Sequence, residues 1–176
     1  MPPPKTLVIG LGNPILGDDG VGWRVAEALR NADFGFRAET DSAIRNPQSE
    51  IEIDCFALGG LSLMERMVGY DRAIVIDAVT TGQPPGAVSC VRLADLGDFS
   101  TVHTSAAHDT SLQNALKVGR KMGAHLPETV MVVGVEADRL YDFSEDLTPA
   151  VAAAVPRAVQ AVLDLLKQFS PEEQVP

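Results

Sequence analysis

Residues 7–22 read LVIGLGNPILGDDGVG. The opening five residues form a continuous apolar run, which is typical of a strand covered on both faces within a parallel sheet. A glycine-rich turn follows, and then Val21, Val25 and Leu29 recur at helical spacing, which predicts a first helix ending near Asn31. This strand, turn and helix predict an α/β fold whose turn lies at the carboxyl end of the first strand.

The rest of the chain repeats the same alternation. Four more strands are predicted, at residues 51–56, 73–76, 87–93 and 130–135. Three more helices are predicted, one around Leu61 to Val68, one from Leu112 that stops by Gly123, and one from Pro149 to Phe169. This order predicts a three-layer α/β/α sandwich around a mostly parallel twisted sheet of about five strands. We expect a single domain over residues 1–176, with frayed ends at 1–5 and 170–176.

Charge and composition exclude several classes of function. The chain has 14 Lys plus Arg against 24 Asp plus Glu, a net charge of −10, and only 5% aromatic residues. Without a basic cluster or stacking platforms, nucleic acid is not an expected partner. The N-terminus has no apolar signal core, and no apolar run approaches the roughly 20 residues of a membrane span. These features predict a cytoplasmic protein with no membrane partner, and monomer is the expected state.

Three polar side chains are the best candidates for chemistry, because ligands of open α/β sheets bind beyond the carboxyl ends of the strands. Asp19 follows the first strand, Asp77 ends the strand at 73–76, and His108 precedes the third helix. Two carboxylates and an imidazole suit a borderline metal such as nickel, zinc or iron. Each also has a structural alternative. Asp18 or Asp19 could cap the first helix, Asp77 could bind loop amides, and His108 could be a first-turn polar residue.

Other reactive side chains are weaker candidates. His103 and His125 lie in polar stretches and are expected to have surface roles, and Cys55 and Cys90 are expected to be small buried residues. No GxSxG elbow, no complete dinucleotide fingerprint and no Walker A sequence occurs in the chain. The glycines of the first turn could serve only to permit a tight turn.

The first turn closely resembles the opening signature of the nickel-iron hydrogenase maturation endopeptidases. Residues 76–78 resemble that family's second strand-end aspartate, and Ser105 to His108 followed by Leu112 resembles its histidine segment. The resemblance covers nearly the whole chain. It implies an enzyme that removes a C-terminal extension from the hydrogenase large-subunit precursor after nickel insertion. Asp19, Asp77 and His108 would recognise the substrate's own nickel, with no organic cofactor.

The chain departs from the family pattern in three places. The turn after the second predicted strand reads DCFALGGL at residues 54–61, whereas the family often has an Asp-Gly-Gly-Thr-like turn there. The histidine segment contains an extra alanine before His108, which leaves His103 as a second-choice ligand. The polar stretch at residues 31–50 is longer than usual and has no assigned function. Asp18, beside Asp19, is a candidate for a supporting or proton-accepting role.

Three alternatives remain open from the sequence. A peptidyl-tRNA hydrolase shares the start VIGLGNP at residues 8–14, but the similarity ends there, and the acidic charge fits a tRNA substrate poorly. A maturation factor that binds nickel-loaded precursor without cutting it would use the same three residues. A nucleotide-binding domain with the same strand and helix order is the third alternative.

Overall fold

Six strands and four α-helices alternate in the part of the chain that the computed structural model describes, residues 3–31, 43–46, 49–96, 111–138, 140 and 142–169. The strands are β1 (Lys5–Leu11), β2 (Ala43–Asn46), β3 (Ser49–Phe56), β4 (Arg72–Val79), β5 (Val88–Arg92) and β6 (Thr129–Glu136). The helices are α1 (Val21–Asn31), α2 (Gly60–Arg66), α3 (Leu112–Lys121) and α4 (Pro149–Phe169), with 3₁₀ turns at Gly17–Gly20 and Leu93–Asp95.

The strands form one sheet in the order β2-β3-β1-β4-β6-β5. The central pairs β3·β1, β1·β4 and β4·β6 are parallel, and the edge pairs β2·β3 and β5·β6 are antiparallel. All five predicted strands are present, and the predicted fold class is confirmed. The structure adds β2 at one edge, within the polar stretch that offered no convincing period. It also places Lys5, expected in the frayed terminus, at the start of β1.

Helices cover both faces of the sheet, which explains why its central strands are continuously apolar. Helices α1 and α4 pack on one face, where Val8, Ile74 and Val133 are fully buried. Helices α2 and α3 pack on the other face, over residues such as Leu7 and Val75. Successive residues of β1 and β4 therefore belong alternately to the two cores, as the two-residue period of a strand requires.

Helix α4 has the predicted bounds. Its fully buried positions include Val151, Ala154, Ala158 and Val162, whereas Val155, Val159 and Leu163 are only partly buried. At 21 residues, with a mean hydropathy of 1.4 over an 18-residue window, α4 is long and apolar enough to cross a membrane by those criteria alone. Its alanine stripe lets it lie close against α1 and the sheet, as a core helix does.

Helix α2 is shorter than predicted. It ends at Arg66, and the chain turns through Met67 to Gly69, which has a φ of +90°. Met67 is still fully buried under α3, so its apolar character reflects core packing rather than helical structure. This is why periodicity alone extended the predicted helix to Val68.

Candidate active site

The candidate site lies between β1 and β4, where the direction in which the chain adds strands to the sheet reverses. From β1 the chain passes over one face through α1 to reach β3, and from β3 it passes over the other face through α2 to reach β4. The segments that follow β1 and β4 therefore diverge at the carboxyl ends of these strands, and the crevice at such a point is where open α/β sheets bind ligands. The β1·β4 register pairs Gly10 with Ile76, so Asp77 lies beside the end of β1.

Glycines bring the first turn and α1 directly onto this crevice. A Cβ at Gly22 would lie 2.3 Å from the Leu11 carbonyl oxygen and 2.4 Å from that of Ile76, the residue before Asp77. At Gly12, φ is +121° and a Cβ would lie 1.9 Å from the Asp19 carbonyl oxygen. The glycines thus do more than permit a tight turn, because they let Asp19 lie against β1 and the helix start lie against β4.

Asp19 and Asp77 are both buried at this edge, each with 1% of its surface exposed. The Asn13 N–H donates to Asp19 Oδ2 at 2.7 Å, and the 3₁₀ turn that carries Asp19 contacts β4. Buried carboxylates are rare in proteins unless they are paired or used in function. The structure therefore brings two of the three predicted site residues to one edge of the sheet.

The third predicted residue, His108, and the second-choice ligand His103 lie outside the described residues. Among the described residues, no group of three His, Cys, Asp or Glu side chains is placed to hold a metal ion. His125 is exposed, and its Nε2 lies 2.9 Å from Asp71 Oδ1. Because His125 precedes the start of β6, it lies at the opposite edge of the sheet. This agrees with its predicted surface role.

Asp18 has a structural role instead of the proton-accepting role considered from the sequence. Its Oδ1 accepts the Thr148 N–H at 2.7 Å, and its Oδ2 accepts the Thr148 hydroxyl at 2.9 Å. Thr148 directly precedes α4, so Asp18 joins the first turn to the start of the last helix and does not cap α1. With both oxygens engaged, the carboxylate of Asp18 is poorly placed to take a proton from a substrate.

We expect Asp18→Ala to lower the free energy of unfolding by about 2 to 3 kcal/mol, because hydrogen bonds to a buried charged group contribute this much. Urea denaturation measures the change. Glu65→Ala, which removes an exposed carboxylate on α2, is the control and should leave the unfolding midpoint unchanged. An Asp18 variant as stable as the wild type would show that the Thr148 contacts contribute no net stability.

Sequence reasoning missed a further buried carboxylate at this edge, beside Asp18, Asp19 and Asp77. Glu136, at the end of β6, is 2% exposed and accepts hydrogen bonds from the Thr81 N–H at 2.6 Å, the Thr81 hydroxyl at 2.7 Å and the Gly82 N–H at 2.8 Å. It thereby fixes the loop that follows β4 and Asp77. The signal was present, because an acid ending an apolar strand is the same pattern that identified Asp77.

Two acids on β3, the strand beside β1, pair with an arginine. Arg66 Nε donates to Asp54 Oδ2 at 2.7 Å, and the same guanidinium pairs with Glu52. Burial lowers the pKa of Arg66, but hydrogen bonds to Tyr70, Asp54 and Glu52 outweigh that effect and raise it above its usual value. Arg66 therefore stays charged, and β3 contributes a closed ion-pair cluster rather than a free carboxylate.

Neither cysteine is an activated nucleophile. Cys55 is half-buried, and Cys90 is exposed on the edge strand β5, so the predicted burial of Cys90 is wrong. Strand β5 lies at the edge of the sheet, and all of its residues are partly or fully exposed, which the sequence did not reveal. Partial burial raises the pKa of both thiols, with Asp164 adding to the effect at Cys90, so both remain protonated near neutral pH.

Comparison with known proteins agrees with this architecture. The sequence profile of the family described as hydrogenase maturation protease matches residues 57–165. The hydrogenase expression/formation protein HupD of Rhizobium leguminosarum bv. viciae is 28% identical over 168 residues, which cover 96% of this chain and 77% of that protein. HoxM of Azotobacter vinelandii, a protein of the same description, is 27% identical over 96% of this chain and 75% of its own length.

Solved structures give the same result. The hydrogenase maturating endopeptidase HybD from E. coli superposes with a TM-score of 0.70 at 28% identity, covering 94% of this chain and 93% of that one. The hydrogenase 2 maturation peptidase from Thaumarchaeota archaeon SCGC_AB-539-E09 superposes with a TM-score of 0.60 at 29% identity, covering 92% and 97%. From the matched profile, which spans more than half of the sequence, and from these likenesses, we conclude that this chain belongs to the hydrogenase maturation protease family and is an endopeptidase.

Proposed function

We propose that this endopeptidase removes the C-terminal extension of a nickel-iron hydrogenase large-subunit precursor once nickel has been inserted. Asp19, Asp77 and His108 would contact the nickel that the substrate carries, and so report that it is loaded. The observation that carries this proposal is the pair of buried carboxylates, Asp19 and Asp77, at the carboxyl ends of β1 and β4. His108 enters from its sequence motif.

The chemistry of the side chains supports a metal ion as the feature recognised. Two carboxylates and one imidazole favour a borderline first-row divalent ion over magnesium or calcium. The ion is cargo of the substrate, held by the substrate's own groups, so this protein needs to supply only a few additional contacts.

The peptide bond is proposed to break by attack of water on the scissile carbonyl carbon. A carboxylate accepts the proton of that water, the C–N bond breaks, and the leaving amine takes up a proton. Neither Cys55 nor Cys90 is ionised enough to replace water as the nucleophile. The proton acceptor is assigned to Asp19 or Asp77, the two acids that this proposal places at the substrate's metal, whereas both oxygens of Asp18 accept hydrogen bonds from Thr148.

The decisive experiment is mass spectrometry of the hydrogenase large-subunit precursor after incubation with this protein, using nickel-loaded and nickel-free precursor in parallel. We expect a defined C-terminal loss in the loaded sample only. Equal cleavage of both samples would contradict nickel recognition. Stable binding of loaded precursor with no shortening would instead favour a maturation factor that binds without cutting, and would contradict the proposed cleavage.

A further inference from the structure

Two exposed apolar side chains lie next to each other beside the active-site turn. Ile15 is 49% exposed and Phe143 is 87% exposed. Ile15 lies between Asn13, whose N–H binds Asp19, and the 3₁₀ turn that carries Asp18 and Asp19. Phe143 belongs to the segment that follows β6 at the same edge of the sheet. An aromatic ring left this exposed gains nothing from the protein's own core.

The backbone beneath these two side chains is firmly fixed. Leu16 and Ser144 form a parallel β-bridge, in which the Ser144 N–H donates to the Ile15 carbonyl at 3.1 Å and the Gly17 N–H donates to the Ser144 carbonyl at 2.7 Å. Arg24 Nη2 also donates to the Glu145 carbonyl at 2.8 Å. The Asp18 contact with Thr148 closes the far end of the same segment.

The bridge also places the two residues at neighbouring positions. Ile15 lies in the turn that the Leu16 N–H closes on the Asn13 carbonyl, and Phe143 directly precedes Ser144 on the paired segment. Paired segments lie about 4.8 Å apart, so two exposed side chains at neighbouring positions are close enough for one apolar group to cover both. We call Ile15 and Phe143 the apolar platform.

The position of the platform indicates what covers it. A polypeptide that reaches Asp19 and Asp77 must enter the crevice at the carboxyl edge, and the platform forms part of that edge. Both side chains of the platform are apolar and exposed, so an apolar group of the partner suits this point. Aromatic residues on a fixed backbone often contribute strongly to binding because little conformational freedom is lost on association.

We propose that the apolar platform binds an apolar side chain of the precursor polypeptide close to the scissile bond, holding that segment extended across the crevice. This inference rests on the proposed function, since it names the part of the substrate that the same site selects. Ile15 and Phe143 are then specificity-determining residues, and they take no part in the proton transfers.

The test compares Phe143→Ala and Ile15→Ala with the wild-type protein in steady-state cleavage of nickel-loaded precursor. We expect KM to rise about tenfold for Phe143→Ala, corresponding to the loss of roughly 1.4 kcal/mol of binding, while kcat stays within about twofold. Phe143→Leu should recover most of the lost affinity, because it restores an apolar surface. Met122→Ala is the matched control, since Met122 is 81% exposed but follows α3 near the opposite edge.

A KM unchanged by both platform substitutions, or raised equally by Met122→Ala, would overturn the inference. Calorimetric titration of the same precursor into wild type and Phe143→Ala separates this inference from the proposed function. If the wild type binds but does not cleave, the proposed function fails. The platform then stands if Phe143→Ala weakens binding about tenfold, and it falls if the two affinities are equal.

Discussion

Asp77→Asn and Asp19→Asn are each expected to lower the rate of precursor cleavage at least about 100-fold, the usual contribution of a carboxylate that transfers protons. The amide has the shape of the carboxylate but carries no charge, so it neither contacts a cation well nor accepts a proton from water. At Asp19, the substituted amide oxygen can still accept the Asn13 N–H, which preserves the turn. Mass spectrometry of the timed reaction measures the rate, and circular dichroism verifies the fold.

Asp71→Asn is the matched control for Asp77→Asn. Asp71 directly precedes β4 and is partly exposed at the opposite edge of the sheet, so its substitution should leave the cleavage rate unchanged. Wild-type rates in both Asp19→Asn and Asp77→Asn would contradict the site assignment. The same assay assigns the histidine, because His108→Ala should abolish cleavage and His103→Ala should have almost no effect. The reverse pattern would identify His103 as the ligand.

The sequence was sufficient to place the two acids but not to separate their neighbours. Strand-end positions identified Asp19 and Asp77, because the carboxyl ends of parallel strands meet at one edge whatever the loops do. Asp18 and Asp19 are adjacent in sequence but have different partners. Asp18 binds Thr148, which is 130 residues away along the chain. No local pattern predicts such a contact. Glu136 was missed although it follows the same rule as Asp77, since the strand it ends was analysed only for its apolar run.

The fold was more predictable than its surfaces. Burial on both faces leaves a clear signal in β1, β4 and β6, because the central positions of these strands are apolar on both faces. Edge strands carry a weaker signal. Cys90 on β5 therefore proved exposed, and β2 gave no interpretable period. In helix α4 the buried positions were also hard to recognise from the sequence. Ala154 and Ala158 are buried, but alanine is a weaker sign of burial in a sequence than the valines beside them.

The largest expected effect on stability is at Gly22, in the first turn of helix α1. Gly22→Ala would place a Cβ 2.3 to 2.4 Å from two backbone carbonyl oxygens, those of Leu11 and Ile76, and no rotation of a side chain can relieve contacts with backbone. Helix α1 would have to move away from the sheet. We expect a loss of about 3 kcal/mol or more in the free energy of unfolding, measured by urea denaturation.

Gly123→Ala separates this steric effect from the general cost of replacing glycine. Gly123 has a φ of +84°, and a Cβ added there would meet no atom within 4 Å, so its substitution should cost only the roughly 1 to 2 kcal/mol of a left-handed conformation. If Gly22→Ala cost no more than Gly123→Ala, close packing of α1 on the sheet would not be what requires glycine there. If Gly22→Ala instead abolishes cleavage at temperatures where the protein is still folded, the displacement of α1 has moved Asp19 away from Asp77. Stability and catalysis would then depend on the same contact between a helix start and two strand ends.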